Sequence, residues 1–167
     1  GESNNVNYQV NLGRNSVDQL NFPRQGSNFL LSIKLSPPYS MFDNVDDYSS
    51  LTDQEKYKWV EYYKWKFKAT WFSPFTEKLI LATKTEFGFL GGYNDQLGIS
   101  PFERFYVGGD GLSGMGYMND GRELVALRGY SNNSLSPQTG ATIYNKYTAE
   151  IRYALSLNPT STMYALA

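Results

Sequence analysis

The stretch Glu61–Phe72, EYYKWKFKATWF, decides the fold class because its apolar and polar residues alternate. One face would carry Tyr63, Trp65, Phe67, Ala69 and Trp71, and the other Lys64, Lys66, Lys68 and Thr70. An α-helix would distribute these residues around its axis, whereas a β-strand places successive side chains on opposite faces. The stretch therefore predicts a strand with one apolar face and one basic face.

The same period of two recurs along the chain. It is found in Val6–Leu12, Phe29–Leu35, Leu79–Phe89 and Thr142–Leu157, and a sixth strand is expected from Ser161. Several of these strands reach ten residues or more. Strands of soluble proteins typically have about five or six residues, whereas a tilted membrane-spanning strand needs about nine to eleven. Length therefore favours strands that cross a lipid bilayer.

The connections between the predicted strands alternate between short and long, and the long ones are residues 36–60 and 91–141. Outer-membrane barrels have short turns on one side of the membrane and long loops on the other. We therefore predict an all-β fold, an antiparallel meander that forms part of a transmembrane β-barrel. A soluble antiparallel sandwich with one wetted face has the same residue alternation and remains the alternative.

Composition excludes several kinds of chemistry. The chain has 15 Lys+Arg and 16 Asp+Glu. It therefore lacks the excess of basic residues that would indicate nucleic acid as a partner. It has no cysteine and no histidine, which excludes Ser-His-Asp and Cys-His catalysis and removes the commonest zinc ligand. We expect no enzyme activity, no catalytic residue, no metal and no cofactor. A glycosidase pair formed by Glu86 and Glu150 is the enzymatic alternative, although the sequence does not determine their separation.

The loops carry weaker signals. Residues 91–141 are too many for a connection without a role. Within them Gly109–Gly114 matches GxGxxG but lacks the following helix of a dinucleotide site. Residues 51–63 predict a short helical turn that is capped by Thr52 or Asp53. The lysine stripe of Glu61–Phe72 is expected to face an aqueous lumen.

Three motifs, taken in order, resemble the BamA family of outer-membrane barrel-assembly proteins. They are NFPRQGSNF at Asn21–Phe29, PFERFYVGG at Pro101–Gly109, and LRGY at Leu127–Tyr130, which fits the family's [VL]RG[FY] signature. With the strands between them, the resemblance covers nearly the whole chain. The chain departs from the family at residues 110–126, where many members have only a few residues.

The resemblance implies both an architecture and a role. The family barrel has sixteen strands and follows periplasmic POTRA domains, so residues 1–167 would be a partial barrel domain with about strands eight to thirteen. The implied function is assembly and insertion of β-barrel proteins in the bacterial outer membrane. Implied partners are unfolded outer-membrane protein clients, accessory assembly lipoproteins and the lipid bilayer. Alternatives are a secretion or translocation pore of the same superfamily, or a soluble β-sandwich ligand-binding module.

The resemblance also implies site residues in the second long loop. In the family this loop folds back into the lumen, and the arginine of the motif contacts acidic residues on the inner wall. Arg128 would take that role here, with Glu150 as its partner. Gly129 would allow a tight turn, Tyr130 would pack on the wall, and Leu127 completes the motif. The approach to this loop motif is formed by Phe105, Tyr106, Gly108 and Gly109.

Overall fold

The strands of this chain account for most of its regular structure. A computed structural model describes residues 3–43, 45, 47–48, 50–111, 122–158 and 161–166. Its strands are β1 (Tyr8–Asn15), β2 (Gly26–Leu35), β3 (Tyr63–Pro74), β4 (Leu79–Gly91), β5 (Phe105–Val107), β6 (Glu123–Val125), β7 (Ile143–Asn158) and β8 (Ser161–Leu166). Helix α1 (Asp53–Lys56) and a 3-10 turn at Tyr39–Met41 lie between β2 and β3.

Six strands form one sheet in the order β1-β2-β3-β4-β7-β8. The order in the sheet is the order along the chain, with β5 and β6 inserted between β4 and β7. This is an antiparallel meander, as predicted. At its end, β7 and β8 are antiparallel, with Arg152 opposite Leu166 and Asn158 opposite Ser161. The connections between the strands alternate between short and long, which also agrees with the prediction.

The long segment between β4 and β7 contains a second, parallel sheet of β5 and β6, which the sequence patterns did not predict. Phe105 lies opposite Glu123, and Val107 lies opposite Val125. Each strand has three residues, which is too short for alternation to identify it. The intervening residues 112–121 lie outside the described part of the chain, and so does half of the GxGxxG match.

Hydrogen bonds account for where β1 and α1 begin. β1 begins at Tyr8 rather than Val6, and the backbone before it pairs elsewhere. The Asn4 N–H donates to the Lys58 carbonyl at 2.8 Å, and the Val60 N–H donates to the Asn4 carbonyl at 2.9 Å. Helix α1 has the predicted cap at Thr52, whose hydroxyl lies 2.8 Å from the Glu55 carboxylate.

The apolar face is the exposed face of β3 and β7. In β3, Trp65 and Trp71 are exposed, whereas Lys64 on the opposite face is buried. The exposed apolar side chains of β7 are Ile143, Tyr147, Ile151, Tyr153 and Leu155. A soluble sandwich buries its apolar face and hydrates its polar face. Here the apolar face is exposed instead, as in strands whose apolar face contacts lipid.

The chain forms two compact units, one of Gly1–Val10, Ile33–Trp65 and Gly88–Tyr144, and the other of Asn11–Ser32, Lys66–Phe87 and Asn145–Ala167. The first unit contains the long segment with β5 and β6, and the second contains the remaining parts of the large sheet. Among the described residues, no helix has the length and apolar character needed to cross a membrane.

Candidate functional site: the loop between β4 and β7

The predicted loop residues fall in and directly after the two short strands. Phe105 and Tyr106 belong to β5 and are buried, and Gly108 and Gly109 follow this strand. Leu127–Tyr130 follows β6 in the same way. Because β5 and β6 are parallel, both motifs leave the small sheet at the same end. The fold therefore brings together two motifs that are separated by residues 110–126.

A single residue, Gly109, closes the LRGY turn through its backbone N–H and carbonyl. The Leu127 N–H donates to the Gly109 carbonyl at 2.9 Å, and the Gly109 N–H donates to the Tyr130 carbonyl at 3.1 Å. Both ends of the four-residue motif are thus held by the same residue. Arg128 and Gly129 form the tip of the turn, and both are exposed.

The glycines of the two motifs differ in the space that a side chain would have. Gly109 has φ +84°, and a Cβ there would overlap the side-chain oxygen of Asn132 and lie 3.1 Å from its Cα. A Cβ on Gly108, whose φ is +123°, would lie 2.5 Å from the Ser131 carbonyl oxygen. Gly129 has φ +86° but open space around it. Gly129 is therefore favoured by backbone conformation alone, and the other two by both conformation and space.

The predicted pair of Arg128 and Glu150 is divided between the two units. Arg128 lies in the first unit. It lines an open cavity of about 380 Å³ together with Gly109, Asp110 and residues 129–132. Glu150 lies in the second unit in β7, and its carboxylate pairs with the Arg152 guanidinium. The contact between Arg128 and Glu150 stays a prediction.

The base of the loop is buried in the apolar core of the first unit. Phe105 and Val125 belong to the cluster that also contains Val60, Tyr62, Leu90 and Tyr144. The rings of Phe105 and Tyr144 meet edge to face with centroids 4.8 Å apart, a favoured geometry for aromatic pairs. Gly88 of β4 leaves the necessary room, because a Cβ there would overlap Tyr144 and lie 2.8 Å from Phe105. The loop thus packs on the polar faces of the strands at this point.

An ion network, formed by the buried Lys64 and the partly buried Lys34, Glu103 and Glu123, holds the base to β2 and β3. The Lys64 ammonium lies 3.2 Å from the Glu103 carboxylate and 2.6 Å from that of Glu123. It also donates to the Glu103 carbonyl at 2.8 Å and lies 4.7 Å from the centre of the Phe105 ring. The Lys34 ammonium contacts Glu103 at 2.7 Å. The loop supplies the carboxylates and the strands supply the ammonium groups.

Glu103 is held in an unusual conformation within this network. Its φ is +65°, in the left-handed region that non-glycine residues rarely adopt. The neighbouring Arg104 supports the turn by donating to the Ser100 carbonyl at 2.9 Å and to the Ile99 carbonyl at 2.8 Å. Burial favours a raised pKa for Glu103, but the hydrogen bond from Lys34 and the charge of Lys64 outweigh burial, and the pKa lies below its ordinary value.

Sequence analysis missed the role of Lys64. The sequence predicts that the lysine stripe of β3 faces water. The Lys64 side chain, however, is only 2% exposed and is covered by the loop. Glu103 was noted as part of a motif without a role, and Glu123 lies in the segment that departs from the family pattern. The only signal in the sequence is a match of charge between these two acids and the lysines of β3, and it does not identify which residues meet.

The second unit has a different ion cluster on β3, β4 and β7. The Glu86 carboxylate lies 3.4 Å from the Lys68 ammonium, 3.1 Å from Lys84 and 3.5 Å from Lys146. Both carboxylates of the glycosidase alternative are thus paired with cations, Glu86 with these lysines and Glu150 with Arg152.

Comparison with known proteins places this architecture in a family. No curated protein matches the sequence. The model of the Omp85 superfamily domain matches residues 1–165, which is nearly the full chain. Members of this superfamily are bacterial outer-membrane proteins that act in protein insertion or secretion. The match agrees with the exposed apolar strand faces and with the loop that packs on the polar faces, and the chain belongs to the Omp85 superfamily.

Proposed function

We propose that the chain is part of a BamA-like barrel that assembles and inserts other β-barrel proteins into the bacterial outer membrane. The observation that carries the proposal is the loop between β4 and β7. Its FYVGG and LRGY motifs form one hydrogen-bonded body through Gly109, and its base is fixed to the polar strand faces through Lys64. Within the superfamily, these motifs resemble those of the barrel-assembly proteins.

The proposed activity needs no covalent step. An unfolded client gains free energy when it buries apolar residues in lipid and pairs its strands, since unpaired backbone groups are costly in hydrocarbon. The protein would lower the barrier to this process by distorting the bilayer and by offering an opening in its own wall. Accessory assembly lipoproteins and the lipid bilayer are the other partners in this proposal.

The membrane location has a direct test. The intact protein should partition with detergent and migrate on a gel in a heat-modifiable way, as closed barrels do. If it is soluble and monomeric without detergent, the membrane proposal fails and the soluble β-sandwich alternative is favoured. The exposure of Trp65, Trp71 and Tyr147 supports the first outcome, because burying these rings in lipid is favourable.

The assembly role is tested by depletion in the bacterium that carries the protein. We expect several unrelated outer-membrane barrels to lose their folded, heat-modifiable forms together. Expression of the wild-type protein should restore them, and so should Lys56→Gln, which changes only a partly exposed residue of α1. A secretion pore gives a different result, in which the barrels remain folded while one exported protein disappears from the medium. That result would replace the assembly role with export.

A further inference from the structure

We propose that the polar face of the second unit attracts small anions through the cluster of Lys68, Lys84, Lys146 and Glu86, so that the pore in which it lies prefers anions to cations. The four side chains sum to two positive charges. The ion pairs of Glu86 with the three lysines lie within the second unit, whereas the ion network at the base of the loop lies in the first.

The lysines of the cluster are more exposed to solvent than its carboxylate is. The side chain of Glu86 is 8% exposed, whereas those of Lys68 and Lys84 are 51% and 47% exposed. The carboxylate is therefore less accessible to solvent than the lysines that contact it. A solute that approaches this face meets two half-exposed ammonium groups first, and the buried negative charge neutralises only part of their field.

The other charges on the same polar face do not reverse this sign. Arg152 and Glu150 of β7 form a pair whose charges cancel. Lumen-facing charges set the selectivity of barrel pores, and rings of lysine or arginine favour anions. The inference rests on the placement of these strands in a barrel and holds for both an assembly factor and a secretion pore.

The test uses the intact protein in a planar lipid bilayer between unequal potassium chloride solutions. The zero-current potential gives the ratio of chloride to potassium permeability. We expect Lys68→Gln/Lys84→Gln to lower this ratio about twofold, because removing two cations lowers the local concentration of counter-ions. Lys68→Arg/Lys84→Arg should keep the wild-type ratio, since it preserves the charge. Lys56→Gln, outside the cluster, should also leave it unchanged.

Each result decides the proposal. A folded double glutamine variant with the wild-type ratio overturns it, and so does an intact protein that conducts no ions. If the double glutamine variant does not fold, the single variants Lys68→Gln and Lys84→Gln take its place, and an unchanged ratio in both overturns the proposal. Heat-modifiable migration reports folding independently, and rescue of depleted cells tests the assembly role separately from conduction.

Discussion

The loop between β4 and β7 has two ends that are held in different ways. Its base is fixed by apolar packing around Phe105 and by the ion network on the buried Lys64. Its tip, Arg128-Gly129, is exposed and is attached through two backbone hydrogen bonds to Gly109. The difference separates two tasks. The base determines where the loop lies, and the tip presents an arginine whose position does not depend on a buried contact.

The largest effect should come from removing the central cation of the base. Lys64→Met keeps a similar length but leaves Glu123 without this partner and Glu103 with only Lys34 of the two ammonium groups. Removing the buried cation is costly because two partly buried carboxylates lose its charge, and we expect the free energy of unfolding to fall by about 2 kcal/mol. The midpoint of unfolding, followed by heat-modifiable migration, measures this loss.

A lysine on the same strand provides the control for this substitution. Lys68→Met removes a cation that is half exposed, so we expect a loss of at most about 1 kcal/mol. Adding Glu123→Gln to Lys64→Met should recover part of the stability, because it removes a carboxylate that lost its contact with Lys64. Equal losses at Lys64 and Lys68, without recovery in the double variant, would contradict the special role of the base.

A comparable effect is expected at the junction between base and tip. Gly109→Ala should destabilise the closed turn by about 2 kcal/mol, because the new Cβ adds steric overlap with Asn132 to the cost of a positive φ. Gly129→Ala has nearly the same φ but open space, and should cost about 1 kcal/mol. The rate of protease cleavage within Leu127–Tyr130 should rise more for the first variant. If cleavage rises equally in both, the packing on Asn132 is unimportant.

A smaller effect should appear when the base is acidified. The pKa of Glu103 in the folded protein lies below its ordinary value of 4.5. The stabilisation by its carboxylate is therefore complete above pH 4.5 and is lost as the pH falls through the folded value. Wild-type protein should lose stability more steeply with acid below pH 4.5 than Glu103→Gln does. Parallel unfolding midpoints for the two proteins would show that the charge of Glu103 contributes nothing.

The strands were predictable from the sequence, and the base of the loop was not. Alternation in Glu61–Phe72 depends on a period of two that survives in the fold, and the placement of Lys64 opposite Trp65 follows from it. The pairing of Lys64 with Glu123 depends on a contact between residues far apart in the chain. No local pattern encodes that distance. The closed turn at Gly109 likewise became visible only when β5 and β6 were found side by side.

The smallest effect on stability is expected at Arg128, and it tests whether the tip has a role of its own. Arg128 is exposed, so Arg128→Ala should change the free energy of unfolding by no more than about 0.5 kcal/mol. If the tip engages Glu150 during assembly, Arg128→Ala and Glu150→Ala should each reduce the amount of folded client barrels in depleted cells, and the double variant should add little. Additive losses would exclude that pair, because residues that act through one contact show non-additive effects. A loss from Arg128→Ala alone would keep the tip functional and assign it a different partner.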